Sequence, residues 1–312
     1  MSEKSKKFEL TIEPDAARLP GMKTIMGDRS DKDKVVLIPN IEYVKREEET
    51  LRLNLLLPAG LMPGYYSESR YPLIVFVQGS GWGEQEIFYN IPQLCYMAKK
   101  GYVIASVKHR SSDKAKFPAF LQDVKSAIRF LKRESETYFI NPDQVAVWGD
   151  SSGGNAAALV GLTGDMAQFK TEDNAEVSDQ VKAVVDFYGP TDVSRINEVP
   201  RNPEFKKNIE NSPENILYGG RVDQNPEIAE PGNPLNYITP GRKIPPFFVA
   251  HGDCDATVPF NQSVLLVQKL QVCRKMVEFY KVCGADHGIF FWTDELLDQA
   301  DRFLRAYLEW GS

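Results

Sequence analysis

The sequence predicts an α/β fold: a doubly wound, mostly parallel sheet with helices on both faces and an inserted cap segment. Short apolar, β-branched runs alternate with helical patterns along most of the 312 residues, the order that builds a parallel sheet. The run Gly149-Asp150-Ser151-Ser152-Gly153-Gly154 directly follows the apolar Val145-Ala146-Val147-Trp148 and precedes Asn155-Ala156-Ala157-Ala158. That is a buried strand, a sharp turn and a helix start in succession. No long Gly/Ser-rich or Pro-rich linker divides the chain, and its length is enough to bury one large core, so a single domain is expected.

Residues 1–34 are mostly polar, carry Pro14, Pro20 and Gly21 and hold no period, and read as an N-terminal tail and surface segment. Ile41–Val44 and Leu51–Leu57 flank the charged Lys45–Thr50 turn, the pattern of an antiparallel hairpin at a sheet edge. Tyr71–Gln78, Val103–Lys108, Val145–Trp148, Val181–Tyr188, Pro246–Ala250 and Met276–Val282 read as further strands. Phe120, Leu121, Val124, Ala127, Ile128 and Leu131 fall at helical spacing, as do Leu296, Leu297, Ala300, Phe303, Leu304, Tyr307 and Leu308. Both stripes predict helices packed on the sheet. The segment 192–243, between two core strands, is rich in Pro, Asn and Glu with a short helical piece around Pro203–Leu217, and is expected to be a functional lid.

The net charge of −6, from 43 acidic and 37 basic residues, includes no basic stripe, which argues against a nucleic-acid partner. Lys4, Lys6 and Lys7 are followed by no apolar targeting core and no later stretch reaches membrane-spanning length. A cytoplasmic protein with no membrane partner is therefore expected. Cys95, Cys254, Cys273 and Cys283 show no C-x-x-C pairing and suit reduced thiols better than a disulfide scaffold or a metal site. The sequence assigns no oligomeric state.

Ser151 occupies the centre of a G-x-S-x-G pattern, where the flanking glycines allow a backbone that side chains would block. A serine hydroxyl needs a base, and the base an orienting carboxylate. Three histidines are available. His109 precedes the serine in the chain, and His251 closes a predicted strand just before Gly252, where it helps shape a turn. His287 lies between the last strand and the last helix, on a loop at the carboxyl edge of the sheet, and is the expected base. For the acid, Asp253 and Asp255 share the turn after the penultimate strand. Asp255 is preferred, because Asp253 sits where the turn is tightest and could cap it; Asp286, next to His287, is set aside. Main-chain N–H groups of Gly79, Ser80 and Ser152 are expected to form the oxyanion hole, the first two on the glycine-rich loop Gln78-Gly79-Ser80-Gly81-Trp82. Trp82 is expected to wall a substrate pocket.

Taken together, these motifs resemble the α/β-hydrolase esterase/lipase group, near the hormone-sensitive-lipase-like and bacterial acetyl or feruloyl esterase-like carboxylesterases. The likeness runs from Val35 to Leu308 and rests on Gln78–Trp82, Phe117-Pro118-Ala119 with Asp123-Val124, Gly149–Gly154, His251–Pro259 and Asp286-His287-Gly288. The family's glycine loop usually begins with His; this chain has Gln78 there and Ser80 at the third position. The Gln-Gly-Ser start is similar to bacterial esterases acting on plant cell-wall acyl groups. His109-Arg110 stands where the family has Tyr-Arg, with Arg110 as a structural anchor. The resemblance implies a catalytic domain over 35–312 and a small-molecule ester substrate. It implies a ping-pong acyl-enzyme route using Ser151, His287 and Asp255, with neither metal nor organic cofactor. Short acyl chains are expected, with acetyl or feruloyl groups on plant carbohydrate as the particular case. A prolyl-oligopeptidase-type peptidase would normally carry a large N-terminal propeller, for which this chain lacks room. A silent binding protein on the same fold would need a broken triad.

Overall fold

The computed structural model describes residues 21–27, 33–47, 49–64, 67–199 and 209–309. The chain divides into two units, Met1–Asp31 and Lys32–Ser312; of the first, only 21–27 are described, as exposed chain without regular structure. Within the second, strands β1 (Val35–Lys45), β2 (Thr50–Pro58), β3 (Tyr71–Val77), β4 (Val103–Val107), β5 (Ile140–Asp150), β6 (Ala183–Phe187), β7 (Phe247–Gly252) and β8 (Val277–Val282) form one sheet. Its order is β1-β2-β4-β3-β5-β6-β7-β8. The hairpin β1–β2 is antiparallel, β2 also joins β4 antiparallel, and every pairing from β4 to β8 is parallel.

Alternation along the strands divides the core between the two faces. On β3, Leu73, Val75 and Val77 point to one side and Ile74 and Phe76 to the other. The first face is covered by α2 (Ala119–Arg133), α3 (Ser152–Leu162) and α5 (Asn261–Val272), the second by α1 (Ile91–Lys99) and α6 (Asp294–Tyr307). The helical stripes read from the sequence fall where they should: Phe120, Val124 and Leu131 in the first core, Leu297, Phe303 and Leu304 in the second. Each such fully buried side chain contributes about 1.5–3 kcal/mol relative to exposure. Because β3 to β7 are covered on both faces, they read in the sequence as near-continuous apolar runs rather than alternating ones.

Ions also stitch the first face. Asp123 on α2 accepts from Arg110 and from Arg46, both at 2.9 Å, and Lys125 pairs with Asp179 at 2.7 Å with both side chains fully buried. Removing one partner from such a pair leaves a buried charge and costs about 3–5 kcal/mol. Arg110 is thus an anchor between the β4 end and α2.

The described parts of 192–243 hold short 3₁₀ turns and one helix, α4 (Pro213–Tyr218), closed by Gly219 at φ +72°. The helical piece expected around Pro203–Leu217 lies partly outside the described residues; its described portion is a 3₁₀ turn, Ile209–Asn211, followed by α4. This polar segment still buries Leu217, Val222, Ala229 and Ile238 in the first core. No helix among the described residues is long and apolar enough to cross a membrane.

Candidate active site

Strand order reverses between β3 and β5: the chain leaves β3 toward β4 and leaves β5 toward β6. Connections that diverge in this way open a crevice beyond the carboxyl ends of the two strands. Gln78–Trp82 follows β3 there, and Ser151 follows β5.

Ser151 takes φ +54° and ψ −127°, a strained conformation for a side-chain-bearing residue, between the last residue of β5 and the first of α3. The bend is tight enough to require its glycines. A Cβ on Gly149 would stand 1.9 Å from Gly153 O, and one on Gly153 would stand 1.9 Å from Val77 O. The Ser151 N–H donates to Phe187 O at 2.9 Å, which fixes the bend to β6.

His287 reaches this serine from the loop between β8 and α6. Its Nε2 lies 3.0 Å from Ser151 Oγ and its Nδ1 2.7 Å from Asp255 Oδ2. An ionised carboxylate only accepts, so the proton belongs on Nδ1 and the Nε2 lone pair faces the serine hydroxyl. The Asp255 side chain is fully buried. Its Oδ1 accepts the N–H groups of Thr257 and Val258, both at 2.8 Å. Burial pushes this carboxyl up, but hydrogen bonds from His251 and His287 and the charge of both rings outweigh it and hold Asp255 below the usual carboxylate range.

The other candidates lie elsewhere. Asp253 is exposed and accepts from the Gly284 N–H at 2.6 Å. Asp286 receives the N–H groups of Ala256 at 3.1 Å and His287 at 2.7 Å, tying the acid and histidine loops together. His109 is buried with Nδ1 2.8 Å from Arg110 O and its ring 5.8 Å from Phe120, and burial pushes its pKa down. His251 is buried at the end of β7 and contacts Asp255 rather than Ser151.

The main-chain donors require a correction. The Gly79 N–H, expected in the oxyanion hole, donates to Asp150 Oδ1 at 2.8 Å, and that buried carboxylate is a strong, fixed acceptor. The Ser80 N–H donates to Ser152 Oγ at 2.9 Å, a hydroxyl that can rotate away. The main-chain N–H groups of Ser152 and Gly81 have no partner among the described residues. Gly81, at φ +59°, lines the same cavity as Ser151. Trp82 takes φ +57°, is 3% exposed, and stands in the cavity wall.

Two residues at the site escaped the sequence reading. Asp150 grips the Gly79 N–H and accepts from Tyr188 OH at 3.3 Å. Burial pushes its pKa up to about 6, against the Gly79 N–H and the His287 charge. The Tyr188 ring lies 4.5 Å from the His287 ring, and its hydroxyl accepts from Trp292 Nε1 at 3.1 Å. Asp150 could have been flagged by its place beside the serine. Tyr188 gives no local signal, because its role comes from three loops meeting.

The cavity over Ser151 has a volume of about 360 Å³. Ile196, Pro213 and Glu214 join its wall from the segment 192–243, and Thr257 and Val258 from the acid loop. Its lining is mixed, with Trp82 and Ile196 beside Gln78, Glu214 and Thr257.

Residues 61–270 match the BD-FAE family. The chain is 30% identical over 232 residues to Esterase LipC of Mycobacterium tuberculosis, covering 73% of this chain and 54% of LipC. It spans about half the length of the curated relatives it matches. Among solved structures, a truncated form of a carbohydrate esterase from gut microbiota superposes with a TM-score of 0.73 at 26% identity, covering 86% of this chain and 95% of that one. Est2 of the planctomycete Thermogutta terrifontis, with butyrate bound, gives a TM-score of 0.68 at 25% identity, covering 88% of this chain and 96% of its own.

Proposed function

Because the chain belongs to the BD-FAE family, with an α/β-hydrolase fold and serine-esterase relatives, we propose that it hydrolyses carboxylic esters of short acyl chains through a covalent acyl-enzyme. One observation carries the reading: Ser151, His287 and Asp255 are linked at 3.0 and 2.7 Å on the floor of a cavity at the carboxyl edge of the sheet. His287 Nε2 takes the hydroxyl proton as Ser151 Oγ bonds to the ester carbonyl carbon, and Asp255 stabilises the imidazolium so formed. The carbonyl π electrons move to oxygen, and the main-chain N–H groups of Ser80 and Ser152, with Gly81 in place of Gly79, donate hydrogen bonds to that oxyanion. As the carbon–alkoxy bond breaks, His287 returns the proton to the leaving alcohol. Water then bonds through its oxygen to the acyl carbon as His287 takes its proton, and when the carbon–Ser151 Oγ bond breaks His287 returns that proton to Oγ, releasing the acid and the free serine hydroxyl.

Residues 192–243 serve as the cap in this proposal, since they supply Ile196, Pro213 and Glu214 to the cavity. At about 360 Å³ the cavity is at the small end of ligand sites, which favours an acetyl to butyryl acyl group. The likeness to a carbohydrate esterase, with Gln78, Glu214 and Thr257 among the lining residues, supports acylated sugar over long-chain lipid as the natural substrate, with acetyl or feruloyl groups on plant carbohydrate as the specific case.

The test is turnover of aryl acetate and butyrate beside a panel of acetylated and feruloylated sugars, with Ser151→Ala as control. We expect Ser151→Ala to lower kcat by about 10⁵–10⁶-fold and to abolish labelling by an organophosphonate. Retained activity in that variant sinks the nucleophile assignment. Preference for long-chain over acetyl esters sinks the substrate class.

A further inference from the structure

Asp255 is held by a second imidazole, which the proposed reaction leaves unused. His251, fully buried at the end of β7, places Nε2 3.3 Å from Asp255 Oδ2 and 2.9 Å from Val258 O. Its Nδ1 lies 2.7 Å from Ser263 Oγ on α5. Nε2 therefore faces two acceptors and must carry a proton, since a lone pair there would be repelled by both oxygens. In the neutral ring Nδ1 then accepts the Ser263 hydroxyl proton.

On the assumption that the Ser151 reading holds, we propose that His251 is a positioning residue for the reaction, whose Nε2 N–H donates to Val258 O and stands beside Asp255 Oδ2, fixing the acid loop and its carboxylate so that His287 keeps its orientation and tautomer.

The carboxylate shows why such a donor matters. Oδ1 is held by the Thr257 and Val258 N–H groups; Oδ2 faces His287 Nδ1 at 2.7 Å and His251 Nε2 at 3.3 Å. With donors on both oxygens the group cannot rotate, and the lone pair of Oδ2 not used by His287 is not left exposed to a competing partner. Ser263 in turn holds the ring of His251, so the chain runs Ser263, His251, Asp255, His287, Ser151. Orientation through a partner's far side is a general way to tune a ligand or base. The charged and titratable groups facing this pair are Tyr188, whose ring stands 6.2 Å from His251, and His287. Asp286, which accepts the Ala256 and His287 N–H groups, stands beside them, and Asp150 interacts with His287 through charge.

Losing the His251 donor makes Asp255 a more basic acceptor, which favours the protonated form of the Asp255–His287 pair. The acid limb of kcat/KM should then move to higher pH, whereas a packing role would change only the amount of competent enzyme.

The experiment compares wild type, His251→Phe, His251→Gln and Ser263→Ala on an aryl acetate, with active sites counted by organophosphonate titration. Phe keeps the ring volume without a donor, and Gln returns an N–H near the Nε2 position. We expect His251→Phe to lower kcat per titrated site about 10–100-fold with KM within about threefold, and to raise the acid limb by about half a unit. His251→Gln should restore most of the profile, and Ser263→Ala should shift it in the same direction by less. Equal behaviour of the Phe and Gln variants, or an unshifted limb in His251→Phe, overturns the proposal. If His251→Phe does not fold, an unshifted limb in Ser263→Ala overturns it. Failure of the nucleophile reading shows separately, as activity or labelling that survives Ser151→Ala.

Discussion

Two loops flank Ser151, and they contribute in opposite ways. The acid loop after β7 offers a side chain, Asp255, which gathers the N–H groups of Thr257 and Val258 and two imidazoles. The glycine loop after β3 offers main-chain donors, and side chains from elsewhere hold them: Asp150 takes the Gly79 N–H and Ser152 Oγ the Ser80 N–H. A side chain announces its chemistry by type. A main-chain N–H announces nothing until its direction and its competing acceptors are known.

The sharpest break of this contrast is in the acid loop. Asp255→Asn keeps the shape but can place an NH₂ donor toward His287, so kcat should fall about 10⁴-fold, whereas Asp253→Asn should leave it within about twofold. Steady-state kinetics with active-site titration decide, and the reverse ranking would move the acid role to Asp253.

Next is the glycine loop. A Cβ at position 79 would stand 2.6 Å from both Asp150 O and Ser151 Cβ. Gly79→Ala should push the loop off the serine and lower kcat about 10²–10³-fold, the range for loss of an oxyanion donor. An unchanged kcat would mean that the loop's placement does not govern the reaction.

A smaller effect is expected at the group that holds that loop. Asp150→Ala frees the Gly79 N–H and should lower kcat about tenfold at pH 8. Since the Asp150 pKa is raised to about 6, the wild-type carboxyl takes up a proton as pH falls through that value and grips less well. The gap between the two enzymes should narrow below pH 6, and a gap constant from pH 5 to 8 refutes the clamp.

The mildest change concerns stability beneath both loops. Asp186 on β6 is buried with one donor, the Gly189 N–H at 2.9 Å, and burial raises its pKa from 3.8 to about 7. Its folded-state pKa lies above the unfolded value, so the penalty is absent below about pH 4, grows as pH rises, and is complete above about pH 7. Asp186→Asn keeps an acceptor without the charge. Tm should rise by a few degrees at pH 8 and stay unchanged at pH 4; equal shifts at both would show that charge is not the cause.

The sheet was legible because its strands are covered on both faces, which leaves apolar β-branched runs such as Val145–Trp148 between turn residues. The hairpin, the two amphipathic helices and the serine bend were legible for the same local reasons. The helix α1 over Ile91–Lys99 was less so: Pro92 and Gln93 blur its stripe, and burial of Leu94, Met97 and Ala98 against the second face decides it. In the inserted segment polarity concealed Leu217 and Val222, which a tertiary surface draws into the core.

Residue type and local order determined the fold class and the bend at Ser151, because short-range sterics and apolar period act within one stretch of chain, while position along the chain and the likeness to hydrolases of this fold pointed to His287 and Asp255. Only the folded sheet decided that Gly79 faces Asp150, that Tyr188 lies against His287, and that His251 meets Asp255 from behind. Those contacts join segments far apart in sequence, and hydrogen-bond partners are assigned by direction and competition in space.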